Sequence, residues 1–174
     1  MALTELPAFV PGADGHEVLP PGRWTCTPDA FNRRFVLGLA DSARRKEIFE
    51  DFVTYRDMQL GHGLKVLSYW IDGSFTSSKL NPGDIDITAL IDGVASAPTA
   101  GYDDWVNPAD KWKTLVHPLV GRTINVDGYG IVKAPDGTPA ANTYRSMRGY
   151  WDDWWQRCRS TGEEMSKGYV EVVF

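Results

Sequence analysis

The sequence predicts a single α/β (α+β) domain with a small mixed β-sheet and helices mainly on one face. The chain has 174 residues, of which 43% are hydrophobic and 24% charged. A chain of this length buries about two thirds of its surface without needing disulfides or a structural metal. Short segments with strand-like alternation are separated by segments with helical spacing of apolar residues. No internal repeat or low-complexity tract interrupts them.

Residues 1–27 are expected to form an irregular arm, and residues 28–174 the domain itself. Four prolines and three glycines in the arm disfavour long helices. Thr27 followed by Pro28 is typical of a helix start, with the threonine as cap. After a second cap at Ser42, apolar residues recur at three- and four-residue steps as far as Gly61, which predicts a long helix.

Four further segments alternate apolar and polar residues as strands do. They are residues 65–72, 84–91, 122–132 and 168–174. Between them, a loop is expected over residues 92–106, a short helix over 107–118 and an aromatic-rich helix near 140–160.

Composition restricts the classes of protein to which the chain can belong. The formal net charge of −5 argues against broad binding to nucleic-acid backbones, which needs a surplus of Lys and Arg. We expect no membrane segment, because no apolar run approaches about 18 residues, and no secretory leader, because the first residues lack a basic start. Two cysteines without a Cys-x-x-Cys pair favour a reducing compartment, so we expect a cytoplasmic protein.

The most informative pattern is a strand that runs into Gly73-Ser74. Nine residues separate this pair from Asp84-Ile85-Asp86. Asp84 and Asp86 share one face of a strand roughly 6.6 Å apart. Two carboxylates at that spacing are able to share a divalent ion, and their hard oxygens suit Mg²⁺ or Mn²⁺. Asp127 lies in a later strand, and sheet pairing would make it a third metal ligand.

The Gly-Ser pair and one lysine favour a phosphate site beside these carboxylates. Gly73 lets the backbone approach a phosphate closely, and the Ser74 hydroxyl with neighbouring N–H groups is able to cradle it. Lys79 in the same loop is a candidate counter-charge for a triphosphate.

This order of motifs resembles the DNA polymerase beta-like nucleotidyltransferase superfamily, and the chain looks like a minimal member. GSFTSSKLNPGDIDI followed by VDGYGI is also similar to small bacterial and phage proteins of that kind. The resemblance implies that Gly73 and Ser74 hold phosphates of a nucleoside triphosphate (NTP), ATP among the candidates. It implies that Asp84, Asp86 and Asp127 bind two Mg²⁺ ions, and that a nucleoside monophosphate is transferred to a protein, RNA or small-molecule hydroxyl.

Other interpretations of the aspartates remain open. Asp84-Ile85-Asp86-Ile87-Thr88 also matches the motif of haloacid-dehalogenase-like phosphatases, although that motif needs a buried strand immediately before it. The pair is also compatible with a solvated strand end. Asp127, which precedes Gly128, is compatible with a residue that shapes a turn.

Most of the remaining conspicuous residues are more typical of structure than of chemistry, and three basic residues near the C-terminus fit both. Helical spacing predicts an aromatic stripe on the last helix that packs in the core, with a base-stacking or partner groove as the alternative. The stripe consists of Trp151, Trp154, Trp155 and Cys158, extended by one turn to Met147. The basic groups at 33–34 and 44–46 are expected on solvated helix faces. Arg157, Arg159 and Lys167 fit either a triphosphate site or a solvated helix end. His16, His62 and His117 are more typical of surface or capping positions than of a catalytic base.

A second hypothesis for function is a non-catalytic interaction protein, such as a toxin–antitoxin or phage-defence component, that uses its aromatic helix to bind a partner. Metal-dependent triphosphate binding would favour the enzyme. A stable complex that tolerates Asp86→Asn would favour the interaction protein.

Overall fold

The computed structural model describes residues 5–39, 43–96, 102–158 and 166–174. Its strands are β1 Val10–Pro11, β2 Glu17–Val18, β3 Gly22–Cys26, β4 Val66–Asp72, β5 Ile85–Asp92, β6 Val126–Lys133 and β7 Gly168–Val173. Five of these described strands form one sheet in the order β3-β7-β4-β5-β6. Strand β4 is antiparallel to both of its neighbours, whereas β3 with β7 and β5 with β6 are parallel pairs. The predicted mixed α/β class is therefore confirmed.

The irregular arm expected over residues 1–27 differs from what forms there. Strands β1 and β2 make a small antiparallel hairpin, and β3 is an edge strand of the main sheet. Its pairing with β7 depends on residues almost 150 positions away, so the local proline and glycine content could not indicate it. The hairpin docks on the loop after β4, where the N–H of Ser78 donates to the carbonyl of Glu17 over 2.8 Å.

The helices are α1 Pro28–Asn32, which continues as a wider π turn over Arg33–Leu37, α2 Ala43–Gly61, α3 Tyr102–Trp105, α4 Lys111–Thr114 and α5 Pro139–Trp155. Thr27 caps α1 as predicted, its Oγ1 accepting from the N–H of Ala30 at 3.1 Å. The predicted cap Ser42 lies outside the described residues. The expected loop over 92–106 contains α3, and the expected helix over 107–118 is reduced to the single turn α4.

The two faces of the sheet carry different cores. On the α2 face, helices α1 and α2 pack against residues such as Tyr69, Ile87 and Val170. On the α5 face, Trp151 and Trp155 of α5 pack against Trp70, Leu90, Ile131 and Tyr169. Most helices thus lie on one face, and one long helix covers the other.

Two further expectations concern cysteines and membranes. Cys26 and Cys158 are both buried thiols, and burial raises the pKa of the Cys26 thiol to about 12. Among the described residues, no helix is long and apolar enough to cross a bilayer.

Candidate functional site

Three aspartates form a row across neighbouring strands at one end of the α5 face. Asp86 of β5 is in register with Asp72 of β4 on one side and with Asp127 of β6 on the other. Paired strands lie about 4.8 Å apart, so side chains in register on one face are direct neighbours. The sheet therefore brings the predicted Asp86 and Asp127 together. Because Asp127 is part of continuous β6, the interpretation that it shapes a turn is wrong.

Gly73 follows β4 at the point where the chain leaves the sheet. Its φ of +77° lies in the left-handed region, and a Cβ built on it would come within 1.8 Å of Asp86 Oδ2. A side chain at position 73 is thus excluded both by backbone conformation and by the Asp86 carboxylate. The turn Gly73–Thr76 then directs the chain toward Lys79.

The turn and the aspartates line a pocket of about 410 Å³. Of the predicted site residues, it is lined by Gly73, Ser74, Lys79, Asp84 and Asp86. Arg157 and Lys167, for which the sequence left two interpretations open, also line it, whereas Arg159 lies outside the described residues. The N-terminal hairpin contributes Asp14, His16 and Val18 to the opposite wall. Asp127 is not among the lining residues, although it neighbours Asp86.

Lys113 of α4 is bound to two of the predicted metal ligands. Its Nζ lies 2.7 Å from Asp84 Oδ2 and 3.2 Å from Asp127 Oδ2. Burial alone would lower the pKa of Lys113, but the hydrogen bonds and charges of the two aspartates outweigh it and raise the pKa above its ordinary value. Lys113 is therefore a cation at neutral pH. The pairing of Lys113 with these aspartates was not predicted from the sequence, because only tertiary packing places α4 beside β5 and β6.

Asp72 is a further carboxylate that the sequence analysis did not select. It is almost fully buried and pairs with Lys167 Nζ. Burial raises the pKa of Asp72, while the charge of Lys167 and the hydrogen bonds from Lys167, Gly73 and Thr76 partly oppose the rise. Lys167 immediately precedes β7. Its ion pair with Asp72, the residue before Gly73, therefore brings the ammonium to the pocket.

Arg45 of α2 binds the backbone of the loop that follows Gly73. Its guanidinium donates to the carbonyls of Phe75 at 2.7 Å, Ser77 at 2.8 Å and Lys79 at 2.5 Å. Arg45 is completely buried, so the expectation that residues 44–46 form a solvated basic face is wrong for this residue. Backbone carbonyls satisfy the buried cation, and burial lowers its pKa to about 10.

Two other residues of α2 hold the segments that precede β5 and β6. The buried carboxylate of Asp51 accepts from the backbone N–H of Asn125 at 2.8 Å and also binds Arg122. Arg44 donates to Asn125 Oδ1 at 2.9 Å and to the carbonyl of Gly83. Helix α2 thus fixes the segments that lead into β5 and β6, the strands that carry Asp86 and Asp127.

The donor set only partly matches a divalent metal site. Among the described residues, no group of three or more His, Cys, Asp or Glu side chains converges on a common point as metal ligands do. Asp127 Oδ1 is buried and has no hydrogen-bond partner within the described part of the chain. An unsatisfied buried carboxylate oxygen favours a cationic ligand. The oxygens of Asp84, Asp86 and Asp127 are therefore of the kind that suits Mg²⁺, but as placed the three side chains do not converge on one ion.

Part of the aromatic stripe and two of the three histidines lie away from the aspartate row. Trp151 and Trp155 are core residues as predicted, whereas Met147 is exposed. Trp154, half-buried, lines the pocket beside the aspartates. His62 stacks on Trp105 with ring centroids 4.1 Å apart, and His117 packs against Trp112. Only His16 of the three histidines lines the pocket.

Comparison with known proteins identifies a family but no activity. The chain matches the profile of DUF6932, a family of unknown function, over residues 11–173, and it belongs to that family. Neither a search of curated proteins nor a search of solved structures found a match.

Proposed function

We propose that this member of DUF6932 is a metal-dependent nucleotidyltransferase that moves a nucleoside monophosphate from an NTP to a hydroxyl acceptor on a protein, an RNA or a small molecule. The register of β4, β5 and β6 carries the proposal. It sets the Gly73 turn against Asp86 and puts Asp86 beside Asp127, at the edge of a pocket.

Positive groups around the pocket suit a triphosphate. Lys79, Arg157 and Lys167 all line it, and cations near phosphate oxygens stabilise the charge of the ground and transition states. Gly73 has no side chain, so its backbone lies directly against the Asp86 carboxylate, and a glycine backbone of this kind beside Ser74 is able to approach a phosphate closely.

The aspartates supply the other half of the chemistry. Asp84, Asp86 and Asp127 would hold Mg²⁺ or Mn²⁺, which when bound neutralises phosphate charge and lowers the pKa of an attacking hydroxyl. Rigid placement of these carboxylates by α2 would align the hydroxyl with the α-phosphate. The two buried cysteine thiols suit a reducing cytoplasm, where we place the protein.

Thermal unfolding with each of the four ribonucleoside triphosphates, with and without Mg²⁺ or Mn²⁺, tests the proposal. Ligand that binds only the folded state raises Tm, and a ligand at about 100 times its Kd stabilises by about 2.7 kcal/mol. We expect a metal-dependent rise with at least one nucleotide, and none for Asp86→Asn.

A matched control is Asp92→Asn, at the far end of the same strand. The Asp92 carboxylate accepts from Val94 and Ala95 and is remote from the pocket lining. This variant should respond to nucleotide as the wild type does. No rise with any nucleotide at millimolar concentration would contradict the enzyme.

An interaction protein is the second candidate, and one observation favours it. Between β6 and α5 lies a groove of about 710 Å³ whose lining includes Tyr129, Tyr144 and Tyr150. Tyr150 and Met147 are exposed there, and exposed apolar surface is typical of partner sites. A partner complex that survives both Asp86→Asn and removal of metal would support this candidate over the enzyme.

A further inference from the structure

Lys113 is positioned to compete with any divalent ion for the candidate metal ligands. Its ammonium bridges Asp84 and Asp127 at 2.7 and 3.2 Å. The three side chains are 25%, 30% and 13% exposed, respectively, so the bridge is partly shielded from water. Shielding strengthens the attraction between opposite charges relative to a fully solvated pair.

The ammonium and a metal ion cannot use the same carboxylate oxygens at the same time. Mg²⁺ needs oxygen ligands at about 2.1 Å, and Lys113 already donates to Asp84 Oδ2 and Asp127 Oδ2. Two cations within a few ångströms of each other also repel. Occupation of these two oxygens by metal therefore requires the Lys113 ammonium to leave them.

The backbone of Lys113 is fixed, whereas its side-chain ammonium is able to reorient. The neighbouring Trp112 is buried and donates its Nε1–H to the carbonyl of Asp104 at 3.1 Å, which anchors α4. Four methylene groups separate the ammonium of a lysine from its Cα, so the charge can reorient without movement of the helix.

We propose that Lys113 is a built-in counter-cation, which neutralises Asp84 and Asp127 in the metal-free protein and is displaced when metal binds. This inference rests on the proposed function and adds to it a control on metal affinity. It gives Lys113 two effects of opposite sign. Lys113 stabilises the metal-free protein, and it weakens metal binding by competition.

The test measures both effects in Lys113→Met. Binding of Mn²⁺ alone is followed by electron paramagnetic resonance of the free ion, and Tm is measured without metal. We expect Mn²⁺ affinity to rise at least ~5-fold, the lower end of typical coupling between two ligands. Without metal, the crowded carboxylates should lower Tm by roughly 3 °C, the shift for about 1 kcal/mol in a chain of this size.

Two matched variants separate competition from a general effect of charge. Lys111→Met removes a lysine from the same helical turn, but Lys111 pairs with Asp104 outside the candidate site. It should leave Mn²⁺ affinity unchanged. Lys113→Arg keeps the positive charge and should keep the wild-type affinity.

The outcomes distinguish this inference from the proposed function. If the wild type binds Mn²⁺ with nucleotide but Lys113→Met binds Mn²⁺ no more tightly, the counter-cation is refuted and the enzyme stands. An equal gain in Lys111→Met refutes it as well. If neither the wild type nor any variant binds Mn²⁺, both proposals are overturned.

Discussion

The two ends of the α5 face of the sheet share the same three strands but have opposite chemistry. At one end, Trp70, Leu90 and Ile131 are buried beneath Trp151 and Trp155. At the other end, the same strands present Asp72, Asp86 and Asp127 in register. Between the two ends, Trp155 Nε1 donates to Thr88 Oγ1 at 2.9 Å. The end of helix α5 thus marks where an apolar core gives way to a charged pocket.

The comparison shows that strand alternation alone does not decide what a sheet face does. Asp86, Thr88 and Leu90 alternate with the buried apolar residues of β5 in one uninterrupted pattern, namely Ile85, Ile87, Ala89 and Ile91. Whether each position becomes core or pocket depends on whether α5 covers it. Two of the three carboxylates at the charged end are paired with cations from elsewhere in the chain, Asp127 with Lys113 and Asp72 with Lys167.

The largest expected effect is on the covered end. Trp155→Ala should destabilise the fold by about 3–5 kcal/mol, because it removes a fully buried ring and leaves a cavity. For a chain of this size that lowers Tm by roughly 10 °C. Trp154→Ala, one residue earlier on a half-buried side chain, is the control in the same thermal scan and should cost about 1 kcal/mol or less. Equal losses in the two variants would contradict the division between core and pocket.

A smaller loss of stability is expected at Gly73, the turn with a positive φ at the charged end. Gly73→Ala must accommodate both a positive φ and a Cβ that overlaps Asp86 Oδ2. We expect a loss of about 1–3 kcal/mol in denaturant unfolding, together with loss of nucleotide-dependent stabilisation. Gly83→Ala is the matched control, because a Cβ there meets open space. If Gly73→Ala binds nucleotide like the wild type, close approach at this turn is not needed.

The smallest effect is a pH dependence that separates two aspartates. Burial raises the pKa of Asp72, so its contribution to stability is present below its ordinary value of 3.8 and is lost as pH rises through the raised pKa. Relative to the wild type, Asp72→Asn should therefore gain stability as pH rises from about 4 to about 8.

Asp92 should show the reverse trend. Backbone N–H groups of Ala95 and Val94 lower its pKa, so its contribution is present above the ordinary value and is lost in acid. Asp92→Asn should lose stability relative to the wild type as pH rises through the acid range, from about 2 to about 5. Thermal unfolding at several pH values measures both differences. Parallel trends in the two variants would contradict the assigned environments.

Much of the fold and of the candidate site was accessible from local sequence. Strands β4, β5, β6 and β7 follow from alternation, and Gly73, Ser74, Asp84 and Asp86 follow from a motif with fixed spacing. These features depend on residues close together in the chain. A pattern of that kind is sufficient because a strand, a tight turn and the next strand determine each other locally.

The features that the sequence did not reveal depend on distant contacts. Arg45 looked like part of a solvated basic group, but the carbonyls that satisfy it come from a loop about 30 residues away. Lys113 is one of several lysines in a polar helix until the fold places it beside Asp84 and Asp127. The incorporation of β3 in the sheet likewise depends on β7. Local composition carries no record of such pairings.

The most direct test of the central claim follows the fate of the α-phosphate. Wild-type protein is incubated with Mg²⁺, a cell extract as the source of acceptors, and NTP labelled at either the α- or the γ-phosphate. The account predicts that α-label becomes attached to an acceptor, that γ-label does not, and that Asp86→Asn attaches neither while Asp92→Asn behaves as the wild type. Transfer of γ-label, or equal transfer of α-label by Asp86→Asn, would contradict it.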